Sequence, residues 1–452
     1  MGMTITEKIL ARASGKDIVN AGEIINVEID WLMSNDATTH ISIDIFNNRI
    51  KKKQIYNNEK IIFVIDHNVP AESEKTAHCQ NIMRDFSRKY NIKLHDGEGV
   101  CHQLMLENYV NPGELVLAAD SHTCSMGALG AFGAGIGSTD FVAAMVTGKT
   151  WLMVPETIRY NLSGKFKNGV YVRDLMLNIL GDIKADGATY MTMEFGGSAV
   201  GDLTIDDRVV LTNLSIEAGA KNGIIEADER TVDYIAKRGL RETIGNIKKE
   251  NYIKTNDYIE TEERIDESKF LIKSDPDCRF KKIHEYDLST IEPGIAFPHA
   301  VDRYCKVKEV EDKKIKINQG FIGSCNNGRI EELRVAAEIL SNERVKKDIR
   351  LIISPASNSV YEKALSEGLI EIFLESGAMV VNPNCSVCWG ACQGVIGKGE
   401  TMISTGTRNF KGRAGSPDSK IYLASAATVA ASCIEGIITD PRKYKCVQDK
   451  VV

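Results

Sequence analysis

The sequence is poor in the features that mark the special classes of protein. No run of about 18 apolar residues occurs anywhere, which excludes a membrane-spanning helix of ordinary length. The opening segment, MGMTITEKILARASGKD, has no apolar core of signal-peptide length. Basic residues are not in excess: 56 Lys and Arg stand against 62 Asp and Glu, for a net charge of -6. That balance makes nucleic acid an unlikely partner, since such binders carry a basic face. Anionic small molecules remain open, because a few arginines in a cleft override net charge locally. Aromatics are only 7%, and there are 8 histidines in 452 residues, so places where histidines gather are informative. Cysteine is not scarce. Eleven are scattered along the chain, an odd number with no disulfide-rich spacing. The expected compartment is a reducing cytoplasm, where cysteines serve as buried hydrophobes, metal ligands or catalytic groups.

At this length two to four domains are expected. Short apolar strands alternate with helical stretches and Gly-rich turns. Ile61–Ile65 reads as a buried strand ending at Asp66-His67, LVLAA over 115–119 as another ending at Asp120-Ser121-His122, and 350–353 as a third before Ser354-Pro355. Strand, polar loop and helix in alternation predict an α/β fold, with ligand sites at strand C-termini. The charged run 248–273 reads as a solvated helix or linker near a domain boundary. A second boundary is expected near Pro155, after a helix over 141–151.

Two segments carry cysteines in ligand-like settings. Gly323-Ser324-Cys325 opens into Asn326-Asn327-Gly328-Arg329, and sixty residues later comes Asn384-Cys385-Ser386-Val387-Cys388-Trp389. C-x-x-C places two sulfurs within reach of one metal centre. Cys325 would make a third ligand, and three thiolates on a four-iron cluster leave one iron open for Lewis-acid chemistry. Taken alone, the C-x-x-C reads equally as a zinc half-site or a redox pair. No second C-x-x-C exists to complete a zinc site, and Cys392 reads as a packed residue that could compete as a ligand.

Histidines recur in polar loops after strands: Asp66-His67-Asn68, Val100-Cys101-His102-Gln103 and Asp120-Ser121-His122. An adjacent carboxylate orients an imidazole and raises its basicity. Singly, each is an ordinary loop histidine; three such loops beside a cysteine triplet point to chemistry. Asn213 and Glu217 lie in NLSIEAGA, where the carboxylate is either a helix N-terminal charge or a group facing substrate. Arg408 and Arg413, five apart in a Gly-containing loop, suit bidentate carboxylate binding, with Arg329 as a further source of positive charge. The segment MGALGAFGAGIGSTD has the glycines of a dinucleotide fingerprint in the wrong register. It reads as tight turns and close packing.

These motifs coincide with a known pattern. The chain resembles the aconitase superfamily, and within it the large subunits of the isopropylmalate dehydratase and homoaconitase group. The likeness runs from TEKILARASGK through DHNVP, GVCHQ, ADSHTCSMGALGAFGAGIGSTD, NLSIEAGA, GSCNNGR and NCSVCWG to RNFKGR. It implies three α/β/α domains, here residues 1–155, 156–285 and 286–452, without the swivelling fourth domain of single-chain aconitases. In split members a separate small subunit carries that domain, together with the catalytic serine base. The resemblance implies a [4Fe–4S] cluster on Cys325, Cys385 and Cys388, and a hydroxy-carboxylate site. Asp66, His67, His102, Asp120, His122 and Glu217 would act in catalysis; Ser121, Asn213, Arg408 and Arg413 would contact substrate. The sequence departs from the family pattern at Asn326 (usually Thr), Thr407 (usually Asn), Cys392 (often His or Ala) and His40 (usually Gln).

The reaction so implied is a reversible dehydration and rehydration of a 2-hydroxy di- or tricarboxylate. Isopropylmalate is the first expectation; homocitrate, citrate and methylated malates are alternatives. Two rivals belong to other classes. An iron-sensing RNA-binding protein sits poorly with the acidic pI, and an electron carrier would want four cysteine ligands rather than three.

Overall fold

A computed structural model describes residues 2–238 and 271–444. Three sheets, mainly parallel, position everything that matters for function. The first has the strand order Lys93–Asp96, Ile61–Ile65, Trp31–Asn35, Leu115–Ala118, Phe132–Gly135, with every pair parallel. The second is four parallel strands in the order Asn222–Ile225, Thr192–Gly196, Thr157–Ser163, Lys282–Asp287. The third has seven strands, from Tyr304–Lys306 at one edge through Gly294–Ala296, Lys420–Ala424, Thr401–Ser404, Gln319–Gly323 and Arg350–Ser354 to Met379–Val380 at the other. Only the two ladders of Gly294–Ala296 are antiparallel. The expected α/β class is what the chain adopts.

The strands read from sequence are present: Ile61–Ile65, buried at every position, Leu115–Ala118 and Arg350–Ser354. Continuous burial follows from helices covering both faces of a parallel sheet. The helix expected over 141–151 is shorter and earlier, Ser138–Thr147. Gly148 takes the left-handed conformation at φ 71° and caps it. Lys149–Met153 then forms an antiparallel ribbon with Ile24–Glu28, with Trp151 opposite Asn26. Nearly all of the charged run 248–273 lies outside the described residues.

The cores do not respect sheet limits. Leu175, Leu177 and Phe195 beside the second sheet share one apolar cluster with Phe321, Ile352 and Leu423 of the third. Val64, Met105 and Val116 of the first region pack with Ile205 and Val209 of the helix Ile205–Leu214. Burying such side chains contributes about 1.5–3 kcal/mol each, and shared burial packs the three sheets together.

Candidate active site

Three neighbouring parallel strands of the first sheet bring three carboxylates to one edge: Asp36 and Asp66 just past Trp31–Asn35 and Ile61–Ile65, and Asp120 past Leu115–Ala118. This is the C-terminal edge where α/β sheets bind ligands. Asp36 accepts from the backbone N–H groups of Asp66, His67 and Asn68 at 3.1, 2.8 and 3.1 Å. It thereby sets the conformation of the DHN loop. Asp66 accepts His67 Nδ1–H at 2.8 Å with one oxygen and the Cys101 N–H at 2.7 Å with the other. One carboxylate thus ties both histidine loops together.

Asp120 is the hub of the histidines. Its oxygens lie 3.6 Å from His67 Nε2, 3.3 Å from His102 Nε2 and 3.7 Å from His122 Nδ1, and Asn35 Nδ2 donates to it at 2.9 Å. Burial pushes the three imidazoles toward neutrality, but the carboxylates outweigh it. His67 rises to about 9, driven by Asp66 and then Asp120. His102 rises to about 9, driven by Asp120. His122 also rises, through Asp120 and Glu217. Asp120 is itself driven toward the neutral acid by burial, yet His102 and His122 hold it well below the usual range. The carboxylates thus favour the charged form of all three imidazoles.

The second sheet's region contributes Asn213 and Glu217, and the third contributes Arg408. Glu217 Oε1 accepts from His122 Nε2 at 3.1 Å and from Arg408 Nε at 2.8 Å. Arg408 also donates to Ser121 Oγ at 3.0 Å. Residues separated by 191 and 287 positions therefore meet at one point. Asn213 Nδ2 donates to Ser125 Oγ at 2.8 Å and points to Cys325 Sγ at 3.3 Å. Its Oδ1 receives Asn326 Nδ2 at 3.0 Å.

Cys325, Cys385 and Cys388 are all buried in this junction. Cys325 starts the short helix Ser324–Asn327 after strand Gln319–Gly323, and Cys385 caps Ser386–Trp389. The Cys385 N–H donates to Asp66 O at 2.8 Å, which links the cysteine loop to the histidine loop. Cys388 Sγ receives Thr407 N–H at 3.5 Å and lies 3.6 Å from Thr407 Oγ1. Cys385 holds the Cys388 thiol well below its ordinary range, with Arg413 in support. The donor set fits an iron–sulfur cluster: three buried sulfurs, ringed by N–H and O–H donors and by cations. Among the described residues, the groups close enough for a single ion are Cys101, His102 with Asp120 and Asp36, Asp66 with His67. Cys392 faces away, its thiol on His67 O at 3.5 Å.

Two arginines read from sequence behave differently from a free carboxylate clamp. Arg329 is 1% exposed. It donates to Cys325 O and Asn326 O, and pairs with Asp206 at 3.5 Å and Glu332 at 3.7 Å. Its guanidinium holds the Cys325 turn in shape from behind. Arg413 donates to Cys388 O at 2.7 Å and lies over the rings of Trp389 and Phe410 at 5.5 and 5.4 Å. Three contributors were missed from sequence. Asp36 lies in the segment SNDATTH, which resembles a family element near the substrate, but it carried no role of its own. Trp389 sets its ring edge-on to His67 at 5.2 Å. Arg173 lies in a helix with no motif around it. Burial pushes the Arg173 guanidinium down to about 10, and Cys388 is the strongest charge opposing that.

The sequence matches the aconitase family (aconitate hydratase) over residues 7–436. The chain belongs to the aconitase family. Within it, the chain is 46% identical over 448 residues to a probable 3-isopropylmalate dehydratase large subunit of Methanothermobacter thermautotrophicus, covering 98% of this chain and all of that one. It is 42% identical over 445 residues to a 3-isopropylmalate dehydratase large subunit of Thermotoga maritima, again covering 98% of this chain and all of that one. A probable methanogen homoaconitase large subunit from the first organism is 40% identical over 447 residues, with 98% of each covered. Family membership implies an iron–sulfur cluster, and the large-subunit relatives imply a smaller companion chain. Among the described residues no helix is long and apolar enough to cross a membrane.

Proposed function

We propose that this chain is the large subunit of a [4Fe–4S]-dependent hydro-lyase that isomerises a 2-hydroxy dicarboxylate by dehydration and rehydration, with 3-isopropylmalate as substrate. One observation carries the reading. Three buried cysteines lie beside a ring of histidines and carboxylates, in a chain that is 46% identical over 98% of its length to a probable 3-isopropylmalate dehydratase large subunit.

Cys325, Cys385 and Cys388 would hold the cluster. When bound, it supplies an iron free of protein ligand, a Lewis acid for the substrate's hydroxyl and carboxylate. The chain's own residues supply the rest. His102 and His122, whose charged forms Asp120 and Glu217 favour, deliver a proton to the departing hydroxyl. Positioned acid catalysis of this kind contributes about 10²–10⁴-fold. Asp120 stays ionised and favours the charged form of each imidazole, so that a proton passed to the leaving hydroxyl is regained when water is added back. Asp66 fixes the His67 tautomer by accepting its Nδ1–H, so Nε2 faces Asp120. Arg408, braced by Glu217 and Ser121, presents its remaining N–H groups to a substrate carboxylate. Arg413 adds positive charge beside Cys388, and Asn213 fixes the Cys325 thiol. Removal of the proton α to the carboxylate falls to a base on the small subunit, which carries the swivelling domain. The cytoplasm is its proposed compartment.

Homocitrate is the second substrate reading, supported by the homoaconitase large subunit at 40% identity. Anaerobic reconstitution with iron and sulfide, followed by assays with and without a small subunit, tests both. Turnover of isopropylmalate only with the partner present is the expected result. Turnover of homocitrate alone would move the assignment to homoaconitase. Absence of any cluster would sink the hydro-lyase reading.

A further inference from the structure

Arg173 begins the helix Val172–Ile183, beside the second sheet, yet its guanidinium is buried to 1% exposure among groups of the third. Among the described residues its hydrogen bonds run to neutral acceptors: Asn326 Oδ1, Asn327 Oδ1 at 2.7 Å, and Gly406 O. Its Nε has no hydrogen-bond partner among the described residues. The nearby acids are engaged elsewhere. Asp174 accepts the N–H groups of Tyr171 and Gly294, and Glu332 accepts Asn327 Nδ2. A buried cation without an anion costs several kcal/mol. Neutral acceptors alone do not account for a charge here, since an uncharged amide would serve them.

The acceptors lie next to the cluster ligands. Asn326 follows Cys325. Gly406 precedes Thr407, whose N–H and Oγ1 face Cys388 Sγ at 3.5 and 3.6 Å. Arg173 therefore joins the Cys325 turn to the loop that lines Cys388, with its charge between them. Resting on the cluster reading above, we infer that Arg173 is the buried counter-charge of the cluster thiolates, a positioning residue that sets the cluster's reduction potential and its retention. A cation fixed in a low-dielectric interior stabilises the more negative, reduced cluster. Arg413 lies nearer the surface, stacked on Trp389 and Phe410, and His102 and Arg408 stand toward the histidine cleft, whereas Arg173 is wholly buried behind the cysteines.

The test uses the reconstituted full-length chain as wild type, Arg173→Gln and Arg173→Lys. Each is titrated anaerobically with dithionite and followed by EPR, with circular dichroism of the cluster-free proteins as the folding control. Arg173→Gln is expected to keep its fold, to shift the one-electron potential to more negative values, and to lose visible absorption several-fold faster in air. Arg173→Lys, which keeps the charge without the fork, is expected to hold the potential near wild type. A wild-type potential in Arg173→Gln overturns the inference while the cluster reading stands. If Arg173→Gln does not fold, the lysine variant decides, and a potential displaced as the reading forbids overturns it. A wild type that binds no cluster overturns both.

Discussion

Glu217 Oε1 receives His122 and Arg408 at the same atom, so its charge does two jobs at once. Glu217→Gln keeps the shape but halves the acceptor capacity and removes the anion. The expected outcome is a fall in kcat of about 10²–10⁴-fold with a smaller change in KM, read by steady-state kinetics on the two-subunit enzyme. Arg329 makes the opposite case. Because its guanidinium braces the Cys325 turn, Arg329→Gln should lower cluster content and thermal stability, while the fraction that keeps iron retains its KM. A raised KM with full iron content would return Arg329 to the substrate site. Asp174 gives a pH dependence. Burial raises it from 3.8 to about 7, so the folded chain holds a proton that the unfolded chain releases. Stability from this group is therefore present below its unfolded pKa and declines as pH rises from about 4 through 7. At about 1.4 kcal/mol per unit, the change is on the order of a few kcal/mol. Asp174→Asn should flatten that decline, and comparing thermal midpoints of the two proteins at about pH 5 and about pH 8 checks it.

At the scale of elements, the glycine-rich stretch after Asp120 shows what packing demands. A Cβ on Gly127 would lie 1.7 Å from Gly223 O, and one on Gly133 would lie 2.1 Å from Thr123 O. The segment Ser121–Leu129 is pressed against the strand Asn222–Ile225, and this contact brings His122 to Glu217. Gly127→Ala is expected to destabilise the protein by about 1–3 kcal/mol through overpacking. It should also lower turnover by pushing the two sheets apart, measurable as a drop in both thermal midpoint and kcat. Close packing was legible in those glycines from sequence alone. The partner strand was not, because it lies some ninety residues on and carries no mark of its own. The same limit explains the helix misplaced over 141–151: its apolar spacing continued past Gly148, and only the ladder with Ile24–Glu28 made 149–153 a strand.

At the scale of the whole molecule, the site is a junction of three sheets, and each supplies groups the others lack. The first brings the histidines, the second Asn213 and Glu217, the third the cysteines and arginines. None of these sets performs the chemistry alone. The proposed cluster would join them further, since Cys325, Cys385 and Cys388 lie buried where the three meet. Chelation under mild oxidation is therefore expected to remove visible absorption and turnover together, and iron with sulfide should restore both. Return of activity without return of absorption would contradict the proposed role.

The amino-acid sequence by itself determined the α/β class, the loops that carry histidine and cysteine, and the family. Strand patterns, Asp-His pairs and C-x-x-C spacing are local, and local order is written in adjacent residues. The tertiary structure alone decided that Asp120 faces three histidines, that Glu217 joins His122 to Arg408, that Arg329 packs against the Cys325 turn, and that Arg173 reaches Asn326 and Gly406. Those outcomes depend on which buried charges come together when separate cores merge, and the free energy of a buried charge is set by neighbours distant in the chain.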